Sequence, residues 1–514
     1  MKAQKVELSV EEAEAILDRV KDSTLAQEDY EIIKGMVETL MLLNQAVTEK
    51  STSIKRLLQV IFGCKTEKKR KKKKRPKKKK KGHGKNGADD YTGAEKEEIS
   101  HDSLQHCAPC PDCEDGKLYR QQIPGVFVRI KGSAPLTATV YELEKLRCNI
   151  CGKIFTADLP SEAGNQKYDE SASAMLAVLR YGSGLPLNRI EKLQAGMGIP
   201  LPASTAWDVI EKLADGIHPV YPELLKCAAQ GDIIHNDDTP MKVQDLIAEN
   251  QNNSKKPSRK GIFTTGILSI NDDRVIALYF TGRKHAGENM AKVLKERSSS
   301  LDPPIQMCDA LSRNFSEDFK TILAHCLTHG RRNFVTVEES FPDECQYVVE
   351  LLGDVYHNDA TCSQEKMAPN RRLLFHQTYS GPLMEELHSW LNQQFDDKKV
   401  EPNSSLGKAI KYMLKHWQEL TLFLRVEKAP LDNNICERAI KMAIMHRKNS
   451  LFYKTEHGAY IGDIFMSIIH TCNLSKINPL DYLTELRKHS SAVFKTPQQW
   501  LPWNYQANLT VPTN

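Results

Sequence analysis

Apolar positions recur along this chain in more than one rhythm. Residues 8 to 62 read as helical, and Ile33, Val37, Leu40, Asn44, Val47, Ser51, Ile54, Leu58 and Ile61 alternate in steps of four and three. This heptad seam predicts a coiled-coil arm over residues 1–64. Asn44 falls at an a-like position, where a buried amide can set register and oligomer number. Packing of the seam on the chain's own body is the other reading. Residues 65–105 lack any apolar period and predict a linker. Residues 166–228 turn helical again: LPLNRIEKLQAGMGIPLPASTAWDVIEKLADGI reads as two helices around a Gly/Pro turn, with Ser204 or Thr205 as N-cap of the second. Over 165–228 this fits a helix-turn-helix-like DNA-binding region. The second helix carries few Lys or Arg, which leaves an ordinary helical hairpin equally open.

From residue 229 the period switches between strand and helix. GDIIHNDDTPMKV (231–243) predicts a strand ending in acids, and GIFTTGILSINDDRVIALYFTG (261–282) a hairpin around Asn271-Asp272-Asp273. AGENMAKVLKERS follows as a helix. PIQMCDAL (304–311) is a short apolar strand running into Asp309, and KTILAHCLTHGRRNF (320–334) reads as strand, then helix. Residues 337–425 are mostly helical, and LDNNICERAIKMAIMHRKNSLF resumes a helix with a basic face. The pattern predicts an α/β domain over 229–475 with a late helical insertion at about 337–425, and a C-terminal tail over 476–514.

Composition adds bounds. Hydrophobic residues at 40% and charged residues at 27% are ordinary for a globular protein, and 514 residues exceed one compact core. The net charge of +5 is unevenly placed. KKRKKKKRPKKKKK (68–81) holds thirteen Lys or Arg, so removing those thirteen positive charges leaves the rest of the chain at −8. Such a tract repels itself out of any fold and suits a polyanion, binding phosphates without reading sequence. A solubilising linker is its plainer reading. MKAQKVELSVEEAEA has no apolar h-region, and no apolar run is long enough to span a membrane. Thirteen cysteines, an odd number, point to reduced thiols. Together these predict a soluble cytoplasmic protein with no membrane partner.

Four of the cysteines stand as Cys110-Pro-Asp-Cys113 and Cys148-Asn-Ile-Cys151. Each short loop would place two thiolates on one side of a zinc ion, and four thiolates leave no open position, so the Zn²⁺ would be structural. VFVRI and TATVYEL between the pairs predict the strands of a zinc ribbon over 106–160, although the spacer is longer than usual. Unrelated free thiols are the alternative, and Cys107 offers a substitute ligand.

Three acids stand out by position. Asp237 and Asp309 end apolar strands, and Glu437 lies on a later helix. Carboxylates on such rigid supports can hold two hard divalent ions, one activating an attacking oxygen and one stabilising a leaving oxygen at phosphorus. Each acid alone also reads as a cap or a solvated turn. For Glu437 the cap is specific: Asn434 and Glu437 fit a capping box. The two roles compete for one side chain.

Several ordered motifs then converge. Asp237-Asp238-Thr239-Pro240, Cys326-Leu-Thr-His329-Gly-Arg331-Arg332-Asn-Phe334, Asp432-Asn433-Asn434-Ile-Cys-Glu437-Arg438, Arg447-Lys448-Asn449-Ser450-Leu451-Phe452 and the closing LPWN (501–504) occur in order along the chain. RLLQVIFGCKTEK (56–68) and the paired cysteines precede them. In these motifs the chain resembles the sixty-six family of bacterial insertion-sequence transposases, from about residue 54 to the C-terminus. The resemblance implies an RNase H-like catalytic core with a late helical insertion, preceded by a zinc ribbon, a helical region and an N-terminal coiled coil. It implies a DDE triad of Asp237, Asp309 and Glu437 holding Mg²⁺ or Mn²⁺. Asp238 stands where the family has Glu and is the fallback ligand, while DALSRNF departs from the commoner Asp-Gly start.

The implied reaction is cleavage at transposon ends bearing terminal inverted repeats, followed by strand transfer into target DNA. Arg331, Arg332, Arg438, Lys441, Arg447 and Lys448 would meet DNA, with His329 either assisting or structural. The implied partners are DNA, further copies of the chain in a homo-oligomer and accessory transposition proteins, in a bacterial, nucleoid-associated setting. A catalytically silent, transposase-derived DNA-binding protein and an RNase H-like nuclease without strand transfer are the competing readings. The sharper geometric expectation is that Asp432, Asn433 and Asn434 start the helix, Glu437 turns inward toward Asp237 and Asp309, and Arg438 turns toward DNA.

Overall fold

The computed structural model describes residues 134–509 apart from 148, 150, 152–153, 165, 253–258, 273 and 316–317, together with residues 33, 106–109, 111, 117–119 and 133. The expected coiled-coil arm, apart from Ile33, and the basic linker lie outside the described residues. So do Cys110, Cys113, Cys148 and the VFVRI segment. The chain divides into two compact units, Met1–Ser133 and Ala134–Asn514. In the first, Pro109 and Lys117 form an antiparallel bridge, with the Cys107 N–H donating to Leu118 O at 2.7 Å.

In the second unit, β1 (Lys145–Arg147) pairs antiparallel with β2 (Ile154–Thr156). The TATVYEL segment expected as a strand is not one. Val140 is 84% exposed there, so among the described residues its alternating apolar positions have no second layer to pack on. Next come α1 (Glu170–Ala177), α2 (Leu187–Gly196), α3 (Ala203–Ile217) and α4 (Val220–Ala229). The N-cap of α3 is Pro202, with no side-chain cap bond, rather than Ser204 or Thr205. Pro202 fixes φ near the helical value one residue earlier and leaves both hydroxyls inside the first turn. The buried stripe Ala206, Ile210, Leu213 and Ala214 faces the core, while Ser204, Asp208, Lys212 and Asp215 are exposed.

A five-stranded mixed sheet follows: β3 (Ile233–Pro240), β4 (Phe263–Asn271), β5 (Arg274–Gly282), β6 (Ile305–Cys308) and β7 (Ile322–His325). Their spatial order is β5-β4-β3-β6-β7, with β4 and β5 antiparallel and β6 and β7 parallel to their neighbours. This order, with the first strand in the centre, is compatible with an RNase H-like core. The hairpin turns at Asn271–Arg274, as its Asn-Asp-Asp predicts. Helix α5 (Gln244–Asn252) lies between β3 and β4, and α6 (Ala286–Leu294) between β5 and β6. After β7 run α7 (Leu327–Val337), α8 (Pro342–Gln364), α9 (Pro369–Phe375), α10 (Gly381–Asp396) and α11 (Ser405–Lys415), then α12 (Asn434–Ser450) and α13 (Glu456–Leu474).

Two hydrophobic cores result. One joins β3–β5 with α1–α4, α12, α13 and the C-terminal helices; the other joins β6 and β7 with α7, α8, α10 and α11. The stretch expected as a tail forms α14 (Pro479–Lys488), whose Tyr482, Leu483 and Leu486 are buried.

The free edge of β5 is closed by α13. Thr281, Tyr279 and Ala277 donate their backbone N–H groups to Asp463 Oδ2 (2.6 Å), Ser467 Oγ (2.9 Å) and Thr471 Oγ1 (3.1 Å). Four helical residues advance about 6 Å and two strand residues about 6.6 Å, so the two repeats stay in register for three rungs. Side chains thereby satisfy the donors that an edge strand would leave open.

Candidate active site

The sheet brings the first two candidate acids to its carboxyl-terminal side. Asp237 is the fifth residue of β3, and Asp309 follows the last residue of the neighbouring parallel strand β6. Asp237 is partly buried, and its Oδ1 accepts the Asp238 N–H at 2.8 Å. Its carboxyl is raised from 3.8 to about 7. Burial is the largest cause; the Asp238 N–H bond opposes it, and the charges of Asp309, Asp238 and Glu437 raise it further. Asp309 and Glu437 therefore each lie within electrostatic reach of Asp237.

Asp238, the next residue on the strand, has its side chain fully buried and both oxygens engaged. Oδ1 accepts Thr265 Oγ1 at 2.7 Å, while Oδ2 accepts the Ala286 N–H and meets His285 Nδ1, both at 3.1 Å. It anchors the start of α6, as the alternation of strand side chains allows.

Asp309 is set by a buried polar cluster. Asn314 Nδ2 donates to Asp309 Oδ1. The Asn314 carbonyl accepts from Asn236 Nδ2 at 2.7 Å and Gln306 Nε2 at 2.8 Å, and Gln306 Oε1 accepts Thr321 Oγ1 at 3.0 Å. Two strands thus hold the loop that carries the acid. Tyr412 of α11 reaches the same loop: burial, with the Asp309 charge next, raises its phenol to about 12.

The start of α12 answers the capping question. The N-cap is Asn433, with no side-chain cap bond, and Asn434 is already the first helical residue. Glu437 therefore sits one position past the place a capping box requires, and no box forms. Asn433 bonds elsewhere: its Oδ1 meets His235 Nδ1 at 2.9 Å, its Nδ2 donates to Asn236 O at 3.1 Å, and its N–H donates to Cys326 Sγ at 3.2 Å. One buried amide thus pins the helix start to β3 beside Asp237. Asp432 turns the chain, accepting the Asn434 N–H at 3.0 Å.

Freed from capping, Glu437 Oε1 is buried without a hydrogen-bond partner among the described residues. His329 Nδ1 lies 3.9 Å from Oε1, and Arg332 lies 3.6 Å from Oε2 while its NH1 sits 3.3 Å from His329 Nε2. Cys326, His329 and Glu437 offer ligand atoms within 4.8 Å of one another. An orphaned carboxylate oxygen beside an aspartate held near neutrality suits a cation, since oxygen donors are what hard divalent ions take.

The chain matches the family model described as Transposase IS66 family over residues 166–461, more than half its length. It belongs to that family. The match takes in Asp237, Asp309 and Glu437. The chain is also similar to two proteins of Sinorhizobium fredii, described as uncharacterized protein y4jD and uncharacterized protein y4hP. Identity is 26% over 356 residues with the first and 24% over 386 with the second. The y4jD match covers 65% of this chain and 66% of y4jD, just under two thirds of that protein; the y4hP match covers 71% and 67%.

The basic residues of this transposase-family chain separate by location. Arg438, Lys441 and Lys448 are exposed and fall within about 80° of one another on a helix turning about 100° per residue, on the side where Glu437 also lies. Arg447 falls on the opposite side. Its NH1 donates to Thr239 Oγ1 at 3.1 Å and to Pro240 O, tying α12 to the end of β3. Arg332 is exposed beside Glu437, and Arg331 is half-buried. Cys151 is an exposed free thiol.

Sequence reasoning passed over His235, Asn236, Gln306, Asn314, Asn433 and Cys326 as supports of the site. For His235, Asn236 and Gln306 a signal was present: polar residues within the otherwise apolar runs IIHN and IQMC mark buried hydrogen-bonding groups. Among the described residues no helix is long and apolar enough to cross a membrane.

Proposed function

We propose that this chain is a DNA transposase whose RNase H-like core cleaves transposon ends and joins them to target DNA with a two-metal site at Asp237, Asp309 and Glu437. The observation that carries this reading is the raised carboxyl of Asp237, with like charge from both other acids beside the orphaned Glu437 Oε1. Three carboxylates on two strand ends and a helix start have the donor set for Mg²⁺ or Mn²⁺. Bound ions would supply charge stabilisation to the attacking and leaving oxygens of an in-line displacement. Arg332, with Arg331 behind it, is placed to take a phosphate oxygen. His329 stands within reach of Glu437 and is suited to orient it. Arg438, Lys441 and Lys448 form a basic stripe on the Glu437 side of α12, fit for a DNA backbone passing the acids. Arg447 acts from inside the fold.

In this reading the arm (1–64) assembles copies of the chain, the basic linker (65–105) meets phosphates, and Cys110, Cys113, Cys148 and Cys151 hold a structural zinc in a ribbon over 106–160. The helices of 165–228 join in binding the ends. The test is incubation of the purified protein, with accessory proteins encoded beside it, with Mg²⁺ or Mn²⁺ and DNA bearing the element's own terminal repeats. Cleavage at the repeat ends that disappears in Glu437→Gln supports the proposal. Binding without cleavage under those conditions identifies a silent DNA-binding descendant, and cleavage without joining identifies a plain nuclease.

A further inference from the structure

A second group of ligand-bearing side chains lies at the junction of the sheet with the helices that follow it. His325 is the last residue of β7. His416 caps α11 and opens the single helical turn Trp417–Leu420, which carries Glu419. Their ligand atoms all lie within 4.8 Å of one another. His325 is 3% exposed, and its Nδ1 has no hydrogen-bond partner among the described residues. A buried imidazole nitrogen left open is costly unless something occupies it. The His416 ring stands edge-on to it, with centroids 5.1 Å apart and planes at 82°. His416 and Glu419 are half-buried, leaving a path for an ion from solvent.

We propose that His325, His416 and Glu419 form a binding site for a zinc-class transition-metal ion, fastening β7 to the end of the helical insertion. Two imidazoles and one carboxylate are the donors such an ion prefers, whereas Mg²⁺ takes oxygen alone. Ligands of a tetrahedral zinc lie about 3.3 Å apart when each bond is about 2.0–2.1 Å. From at most 4.8 Å the group must close by up to about 1.5 Å, within the swing of the two half-buried side chains. Three protein ligands leave a position for water.

The site is separate from the carboxylate cluster. His325 and Cys326 are consecutive in extended backbone and send their side chains to opposite sides, and Cys326 is the one that meets Asn433. Its placement gives the ion a mechanical role. The helical stretch that carries the insertion leaves the sheet at Leu327, whose N–H donates to Leu431 O at 3.0 Å as the chain returns. His325 stands next to the departure point, and Glu419 lies twelve residues before the return. An ion held there clamps the base of the insertion.

The full chain, stripped of metal by chelation, is titrated with Zn²⁺, alongside the His416→Gln/Glu419→Gln double variant. The wild type should bind one more zinc equivalent than the variant, whatever the cysteine pairs hold, and zinc should raise its unfolding temperature more. Glu419→Gln alone keeps the shape of a half-buried side chain and should weaken that equivalent roughly tenfold or more, since even losses around a metal's ligands cost about that much. Equal zinc stoichiometry and equal thermal shifts in wild type and variants would overturn the proposal. Mg²⁺-dependent DNA cleavage is measured on the same variants. Its failure in the wild type bears on the catalytic reading alone, because zinc binding at this site does not depend on it.

Discussion

Asp237 and Asp463 are both pushed from 3.8 to about 7, with burial the largest cause in each. Their surroundings differ in kind. Asp463 accepts two bonds from Thr281, its N–H at 2.6 Å and its hydroxyl at 2.7 Å, and the Lys292 charge offsets part of the penalty. It closes a sheet edge. Asp237 accepts one backbone bond and is otherwise faced by the charges of Asp309, Asp238 and Glu437. A carboxylate perturbed by burial but satisfied by donors is structural, while one perturbed by its own kind is set for a cation. The shift alone does not separate the two; the partners do.

The largest expected effect tests that division through catalysis. Glu437→Gln or Asp237→Asn should lower metal-dependent end cleavage by about 10³-fold, since loss of a metal's charge stabilisation costs several kcal/mol at about 1.4 per decade. Asp463→Asn should leave the cleavage rate unchanged in the same gel assay. Equal losses at both positions would erase the distinction.

Stability should divide them in the opposite sense. Asp463→Ala leaves the Thr281 N–H unpaired in a buried site and opens a void, so urea denaturation should show a loss of about 2–4 kcal/mol. Asp237→Ala should cost far less in metal-free protein.

The pH dependence follows from the raised values. A carboxyl whose folded value exceeds its unfolded one contributes stability that is complete below about pH 4 and lost as pH rises through about 7. Metal-free Asp237→Asn and Asp463→Asn should therefore each exceed the wild type at pH 8 by about 1–3 kcal/mol and match it below pH 4. Added Mg²⁺ should stabilise the wild type and remove the advantage at Asp237 only, as thermal melts at both pH values would register. Persistence of the Asp237 advantage in Mg²⁺ would count against a cation there.

The smallest effects concern two neighbouring basic residues. Arg447→Ala should cost about 1–2 kcal/mol of stability, because it removes the donor to Thr239 and Pro240. Lys448→Ala should change stability by less than about 0.5 kcal/mol and lower the salt slope of DNA binding by about one. The reverse pattern would move the DNA path to the other side of α12.

Much of this was legible in the residues. The hairpin around Asn271-Asp272-Asp273, the strands before Asp309 and Cys326, and the helices after residue 337 follow from periods of two and 3.6 and from turn chemistry. Ordered motifs pointed to the family that the match over 166–461 shows. TATVYEL misled because alternation signals a strand only where a second layer covers it. The Pro202 cap was missed because a ring-fixed φ can start a helix before the hydroxyls that usually do. The contest over Glu437 could not be decided from spacing, since one residue of shift at the helix start moves its carboxylate out of the cap.

Sequence by itself determined most of the elements of the α/β domain and which family the chain joins, because propensity, periodicity and motif order act over short stretches of chain. Tertiary structure alone decided the partners. It set Asn433 against His235, turned Asp238 into an anchor for α6, aligned Asp463, Ser467 and Thr471 with a strand nearly two hundred residues earlier, and drew His325 to His416. Those pairings join residues far apart in sequence, and only packing fixes which distant polar groups share a buried site.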